Sequence, residues 1–239
     1  MKKLANLLCL ALLGTLTCAT HAAQAPDRFE VTSVKAVRPT LLNTIAALKK
    51  GDAAGAKAAF EQYDLMWNGI EMYINTRDKS MYGELEQTWQ SKIAKELAVP
   101  APDTAAALAD TQMMLAKYDE AIAMIEKSAP LNPLFDDVAR LRMVRSPLRG
   151  VVPAVKAGDY AKARTSYSAF DDKWDSIEDL IKARSQDAYT AIEKDMIQIE
   201  RALMPEKPDV DQVTVLVKDL SDKYNAVVSD ITKDARTPK

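Results

Sequence analysis

The chain has 239 residues and a formal net charge of −2, which allows one or two domains. It has no basic patch interleaved with aromatics, so nucleic acid is not an expected partner. Only seven glycines occur, against plentiful Ala, Leu, Lys, Glu and Asp, a composition that favours helices.

The first residues read MKKLANLLCLALLGTLTCATHAAQAPDRF. Two lysines, an apolar run and then small residues form the pattern of a secretory signal peptide. Cleavage after Ala22 fits best, with Thr20 and Ala22 as the small pair; cleavage after Ala25 would put Pro26 beside the cut. A lipoprotein reading at Cys18 is weaker, because Thr15 and Thr17 stand where a Leu and a small residue belong. The expected location is the periplasm. Beyond the signal no apolar run approaches about 20 residues, so the mature chain is expected to span no membrane.

Cys9, Cys18 and His21 all fall within residues 1–22. Cleavage would leave no Cys and no His, and would take the net charge to −4 by removing Lys2 and Lys3. Cys nucleophiles, Cys/His zinc sites, His-ligated haem and His general bases are then excluded. A metal would have to be held by oxygen, or by Met thioether if it were copper(I). The methionines are scattered, and QMMLAKY reads as helix core.

The stretch DLMWNGIEMYINTRDKSMYGELE, Asp64 to Glu86, returns without a gap as DDKWDSIEDLIKARSQDAYTAIE, Asp171 to Glu193. Residues 38–86 laid over 145–193 give 16 identities in 49 positions, and Phe60/Tyr167 and Tyr63/Phe170 swap conservatively. A one-residue gap then pairs Asp103 with Asp209 and Tyr118 with Tyr224. A period of 107 residues is too long for a solenoid repeat. The expected fold is all-α, a duplicated antiparallel helical bundle of two similar three- to four-helix units. The expected divisions are a signal at 1–22, an N-terminal segment at 23–37, repeat 1 at 38–128, a linker with a short helix at 129–144, and repeat 2 at 145–239.

In each copy a first helix is expected at 39–50 (147–157), ended by KKGD or KAGD, where Gly supplies a left-handed residue and Asp52 or Asp159 caps the next helix. A second is expected at 52–77 (159–184), with Phe60, Tyr63, Trp67, Ile70 and Ile74 on one face. A third at 79–98 (186–204) ends near the prolines of AVPAPD and MPEKPD, and a fourth follows Asp103 or Asp209 at 104–128 (210–233). Neither Gly nor Pro separates the second from the third. Asp78 or Ser185 could cap a new helix, yet the apolar period continues through Ile181, Ala188 and Ile192, so one helix of over 40 residues stays open.

On a helical wheel Asp64 and Glu71 fall within about 20° of each other at the core edge, with Arg77 on the opposite flank; Asp171, Glu178 and Arg184 repeat this. If the chain folds back at 78–79, Glu71 and Glu86 face each other with Tyr82 nearby, and so do Glu178 and Glu193 with Tyr189. Such a set offers oxygen ligands to iron or another hard divalent cation, calcium or manganese included. On an unbroken helix the two glutamates stand about 22 Å apart and share no site. The same carboxylates can equally serve salt bridges or a protein partner. Trp67 and Trp174 read as core anchors, and Arg77 and Arg184 as bridges that fix the turn. The ligand set of ferritin-like di-iron bundles needs Glu-x-x-His, which this chain lacks.

The pattern GD-x-x-x-A … FD-x-x-W-x-x-IE … R-S-x-D-x-Y-x-x-IE, as it stands from Gly158 to Glu193, resembles the helical extracytoplasmic domain found with FTR1-type iron permeases in bacteria. The R-E-x-x-E motif of the permease helices is absent. The first copy departs at Asn68, Gly69 and Asn75, where the second has Asp175, Ser176 and Lys182. The resemblance implies a periplasmic accessory role in iron handling, with a membrane permease as partner. Two readings follow. One is a non-catalytic accessory or binding protein for iron or a similar cation. The other is a structural or interaction module of the cell envelope without metal. Enzymatic activity is not expected, because nothing places a nucleophile beside a base. Glu71 paired with Arg or Lys would favour the interaction module.

Overall fold

The computed structural model describes residues 28–237, and among them every regular element is helical. The signal-peptide region, with Cys9, Cys18 and His21, lies outside the described residues. The elements are α1 (Phe29–Lys49), α2 (Ala53–Arg77), α3 (Lys79–Gly83), a π-helical stretch (Glu84–Gln90), α4 (Ser91–Ala98), α5 (Thr104–Lys127) and α6 (Leu134–Arg145). A 3₁₀ turn (Ser146–Gly150), α7 (Val151–Lys156), α8 (Tyr160–Trp174), α9 (Glu178–Lys182), α10 (Gln186–Leu203) and α11 (Val210–Arg236) complete the chain. In the first half α1, α2 and α5 pack on one another; in the second, α6 and α7 pack on α8 and α11, and α10 lies against α11. The halves meet where α2 lies against α6 and the 3₁₀ turn.

The ends follow from local chemistry. Gly51 and Gly158 take φ of +70° and +76°, the left-handed conformation that a Cβ penalises. Asp52, Asp103, Asp159 and Asp209 each accept backbone N–H bonds from the first turn of the next helix. Between the second and third expected helices the chain breaks in both halves. Asp78 and Ser185 are extended and cap the N–H groups of Met81 and Ala188. The single long helix is therefore excluded, and each half folds back as a hairpin.

Two expected boundaries need correction. Helix α1 starts ten residues earlier than 39 and runs through Pro39. An interior Pro costs about 3 kcal/mol in an isolated helix, but Val31, Val34, Val37 and Leu41 carry one buried stripe across it. The corresponding stretch of the second half holds Pro147, Gly150 and Pro153, and there the helix gives way to the 3₁₀ turn before α7. The short helix expected within 129–144 is α6, which buries Phe135, Val138, Leu141 and Val144. Finally, the helix expected at 159–184 is broken after Trp174. The Ser176 hydroxyl donates to the Lys173 carbonyl, and Ser and Asp compete with the helix for such bonds.

Matching contacts recur at positions 107 apart, or 106 beyond the one-residue gap. The Tyr118 hydroxyl donates to the Val34 carbonyl at 2.6 Å, and Tyr224 to that of Leu141 at 2.8 Å. Tyr63, Trp67 and Tyr82 line up with centroid spacings of 5.8 and 6.3 Å, and Phe170, Trp174 and Tyr189 with 6.0 and 6.4 Å. Trp67 and Trp174 are buried, as core anchors should be. Each brings roughly 200 Å² of mostly apolar surface out of water, on the order of 5 kcal/mol.

Candidate functional site

A cleft of about 1020 Å³ opens between the halves. Its walls come from α2, the π-helical stretch with α4, the 3₁₀ turn and α8. Phe60, Leu97 and Ala169 make part of the lining apolar, while Asp64, Glu86 and Gln90 make another part polar. The exposed Lys57, Lys162 and Lys173 border it.

Two carboxylates of the first half, Asp64 and Glu86, line the cleft, and Glu71 lies within electrostatic reach of both. Asp64 accepts from the Gln90 amide at 2.7 Å and pairs with Arg149 at 3.3 Å. Glu86 accepts from the indole N–H of Trp67, a bond that ties α2 to the returning helix. Glu71 pairs with Arg142 of α6 at 3.1 Å. Glu71 and Glu86 lie within electrostatic reach of each other, as the hairpin requires. Burial pushes the Glu71 carboxyl up to about 7, Arg142 pulls it back, and the charge of Glu86 adds to the rise. Burial also raises Glu86, against the opposing effect of the Trp67 bond. Tyr82 stacks on Trp67, and burial followed by the charge of Glu71 raises its hydroxyl.

In the second half Glu193 accepts from the Trp174 indole, as Glu86 does from Trp67. Tyr189 stacks on Trp174, with Lys182 over its outer ring face at 5.1 Å. The Tyr189 hydroxyl is raised by desolvation, then by Glu193 and Glu178. Burial and the nearby charge of Glu200 raise Asp171. Among the described residues no cation forms an ion pair with Asp171, Glu178 or Glu193. The contrast has a topological cause. Arg142 and Arg149 reach the first half's carboxylates from α6 and the 3₁₀ turn of the next half, and among the described residues no element brings an arginine or lysine to the second half's three in the same way. Among the described residues, no group of three or more Asp, Glu, His or Cys side chains is arranged to hold a metal ion.

The expected Arg bridges form. Arg77 donates to Glu30 at 2.6 Å and to the carbonyls of Tyr73 and Ala129, and Arg184 pairs with Asp234 at 2.5 Å. Several residues at the site were not singled out from the sequence. Arg142, Arg149 and Gln90 are three, and the Tyr63 hydroxyl is a fourth, since Tyr63 counted only as core. One signal was present. The single-residue gap in the repeat falls between Glu86 and Asp103, where the chain forms its π-helical stretch. An extra residue inserted in an α-helix is accommodated by such a stretch. Before it Leu85 stands with Ile192, and after it Ile93 stands with Ile199 and Leu97 with Leu203, all buried. Gln90 accordingly occupies the position of Met196.

Comparison with known protein families, curated proteins and solved structures gives no match.

Proposed function

We propose that the protein is an exported, non-catalytic accessory or binding protein that takes a hard cation at the cleft between its halves. The observation that carries this reading is the pair Asp64 and Glu86 on the cleft wall with the Gln90 amide, and the partly desolvated Glu71 within reach of their charges. Carboxylates kept from bulk water, with amide and phenol oxygens beside them, suit calcium, manganese or ferrous iron. Iron, and a permease of the envelope as partner, come from the resemblance of Gly158 to Glu193. Export to the periplasm comes from the N-terminal pattern.

The pairing of Glu71 with an arginine favours a second reading, the interaction module. Glu71–Arg142 and Asp64–Arg149 join the halves, and the Ser146 hydroxyl donates across the same boundary to the Leu65 carbonyl at 2.7 Å. In that reading the carboxylates fix the relative placement of two bundles, and the molecule presents a helical face to another envelope protein.

Calorimetric titration of residues 23–239 with ferrous iron, manganese and calcium separates the two. The cation reading expects saturable binding, weakened at least about tenfold in Glu71→Gln/Glu86→Gln. Absence of binding by the unsubstituted chain, with a variant that is merely less stable, leaves the interaction module.

A further inference from the structure

Among the described residues, six buried side-chain polar atoms of the first half lack a hydrogen-bond partner, those of Tyr63 and Gln90 among them. Tyr63 is wholly buried, and its hydroxyl has no hydrogen-bond partner. Gln90 is 8% exposed; its amide N–H₂ donates to Asp64, and its carbonyl oxygen is buried without a partner. A buried polar group left unpaired costs about 1–3 kcal/mol, so each calls for an explanation. Exchanging the amide oxygen and nitrogen of Gln90 would set an oxygen against the Asp64 carboxylate, so the orientation is fixed by its partner. What the site lacks is a donor or a cation beside the Gln90 oxygen.

The surroundings say which. Asp64 and Glu86 line the same cleft as Gln90. After burial and the neighbouring Tyr118, the charges that hold the Tyr63 hydroxyl far above its usual range are Glu86, Asp64 and Glu71. Trp67 uses one oxygen of Glu86 and leaves the other free. The second half provides an internal control. At the positions of Tyr63 and Gln90 it has Phe170 and Met196, whereas its Asp171 and Glu193 are retained. The phenol of that half sits one turn away, on Tyr167, and donates to the Met196 carbonyl at 2.7 Å. The second half is thus satisfied without a ligand at the place where the first is not.

We propose that Asp64, Glu86 and the carbonyl oxygen of Gln90, with the Tyr63 hydroxyl beside them, form a single hard-divalent-cation site, present in the first half and missing from the second. This deepens the cation reading above and rests on it. Arg149 acts as an internal competitor at the site. It is about half exposed, its side chain being 49% accessible, and its bond to Asp64 at 3.3 Å is of the solvent-screened kind that gives way at little cost. The π-helical stretch is what turns Gln90 into this position, since Met196 stands there in the straight helix α10.

The test is calorimetric titration of residues 23–239 with manganese and calcium, using substitutions that the second half itself tolerates. Gln90→Met and Tyr63→Phe import Met196 and Phe170, and circular dichroism checks that helicity is kept. The unsubstituted chain is expected to bind one ion. Gln90→Met is expected to lose at least about tenfold in affinity and Tyr63→Phe a few-fold, while Arg149→Gln binds several-fold more tightly. Glu178→Gln/Glu193→Gln is expected to bind like the unsubstituted chain. Binding that survives Gln90→Met but is lost in Glu178→Gln/Glu193→Gln overturns this site and keeps the cation reading. No binding by the unsubstituted chain overturns both.

Discussion

The two halves carry the same aromatic spine and the same Trp–Glu bond, yet they differ wherever a neighbour covers one and not the other. Helix α2 runs unbroken from Ala53 to Arg77, while its counterpart is interrupted between Trp174 and Glu178. The difference centres on Gly69 and Ser176. At Gly69 the Met143 side chain of α6 sits so close that an added Cβ would lie 2.1 Å from its Cγ. Among the described residues no helix lies over Ser176, which is exposed. Most helical stability in a protein comes from a packed face. Where α6 supplies that face the helix continues, and where none is supplied Asp175 and Ser176 turn the chain. The same neighbour supplies Arg142 to Glu71, so cover and charge compensation arrive together.

The largest way to break this comparison is at the contact itself. Gly69→Leu forces Met143 away and should cost about 3 kcal/mol, the upper end for overpacking. Ser176→Leu at the matching, uncovered position should stay within about 0.5 kcal/mol. Urea midpoints of the two variants measure both, and equal losses would mean that α6 does not bear on α2 as described.

The charge difference predicts a pH effect of the next size. Glu71 ordinarily titrates at 4.5 and in the folded chain at about 7, so between those values the folded state holds a proton that the unfolded chain has released. Stability is then greatest at the acid end of that window and falls as pH rises through about 7. The shift corresponds to at most about 3 kcal/mol. Glu71→Gln removes the fall, so its urea midpoint at pH 8 should gain on that of the unsubstituted chain relative to pH 5. A slope unchanged by the substitution would assign the pH dependence to other groups.

The matched tyrosines sharpen the comparison from the other side. Tyr118→Phe and Tyr224→Phe each strip a buried carbonyl, Val34 or Leu141, of its side-chain donor. Each should cost about 1–2 kcal/mol, and nearly the same in both halves. Thermal or urea unfolding would show unequal losses if the two bonds were not equivalent. The smallest effect is expected at the rim of the cleft, where Lys162 meets Glu61 at 3.7 Å with both side chains more than half exposed. Lys162→Ala should change stability by less than about 0.5 kcal/mol, and a larger loss would mean that this pair helps to hold the cleft.

What was legible in the chain was local or periodic. The apolar line Phe60, Tyr63, Trp67, Ile70 and Ile74 marked a buried face, and Gly51, Gly158 and the four Asp caps marked helix ends. These follow from contacts within a few residues, so sequence alone suffices for them. A fold-back at 78–79 would bring Glu71, Glu86 and Tyr82 into one hairpin, because a helix fixes height by residue count, but an unbroken helix was also open. Tertiary structure alone decided the rest. It carried α1 through Pro39, since a buried stripe outweighed the missing hydrogen bond. It brought Arg142 and Arg149 from more than 70 residues away to Glu71 and Asp64, a pairing no local pattern encodes. It also converted a one-residue gap in an alignment into a π-helical stretch that sets Gln90 against Asp64. An extra residue can be counted in a sequence, but which side chain it turns inward depends on the packing that holds the helix on both sides of it.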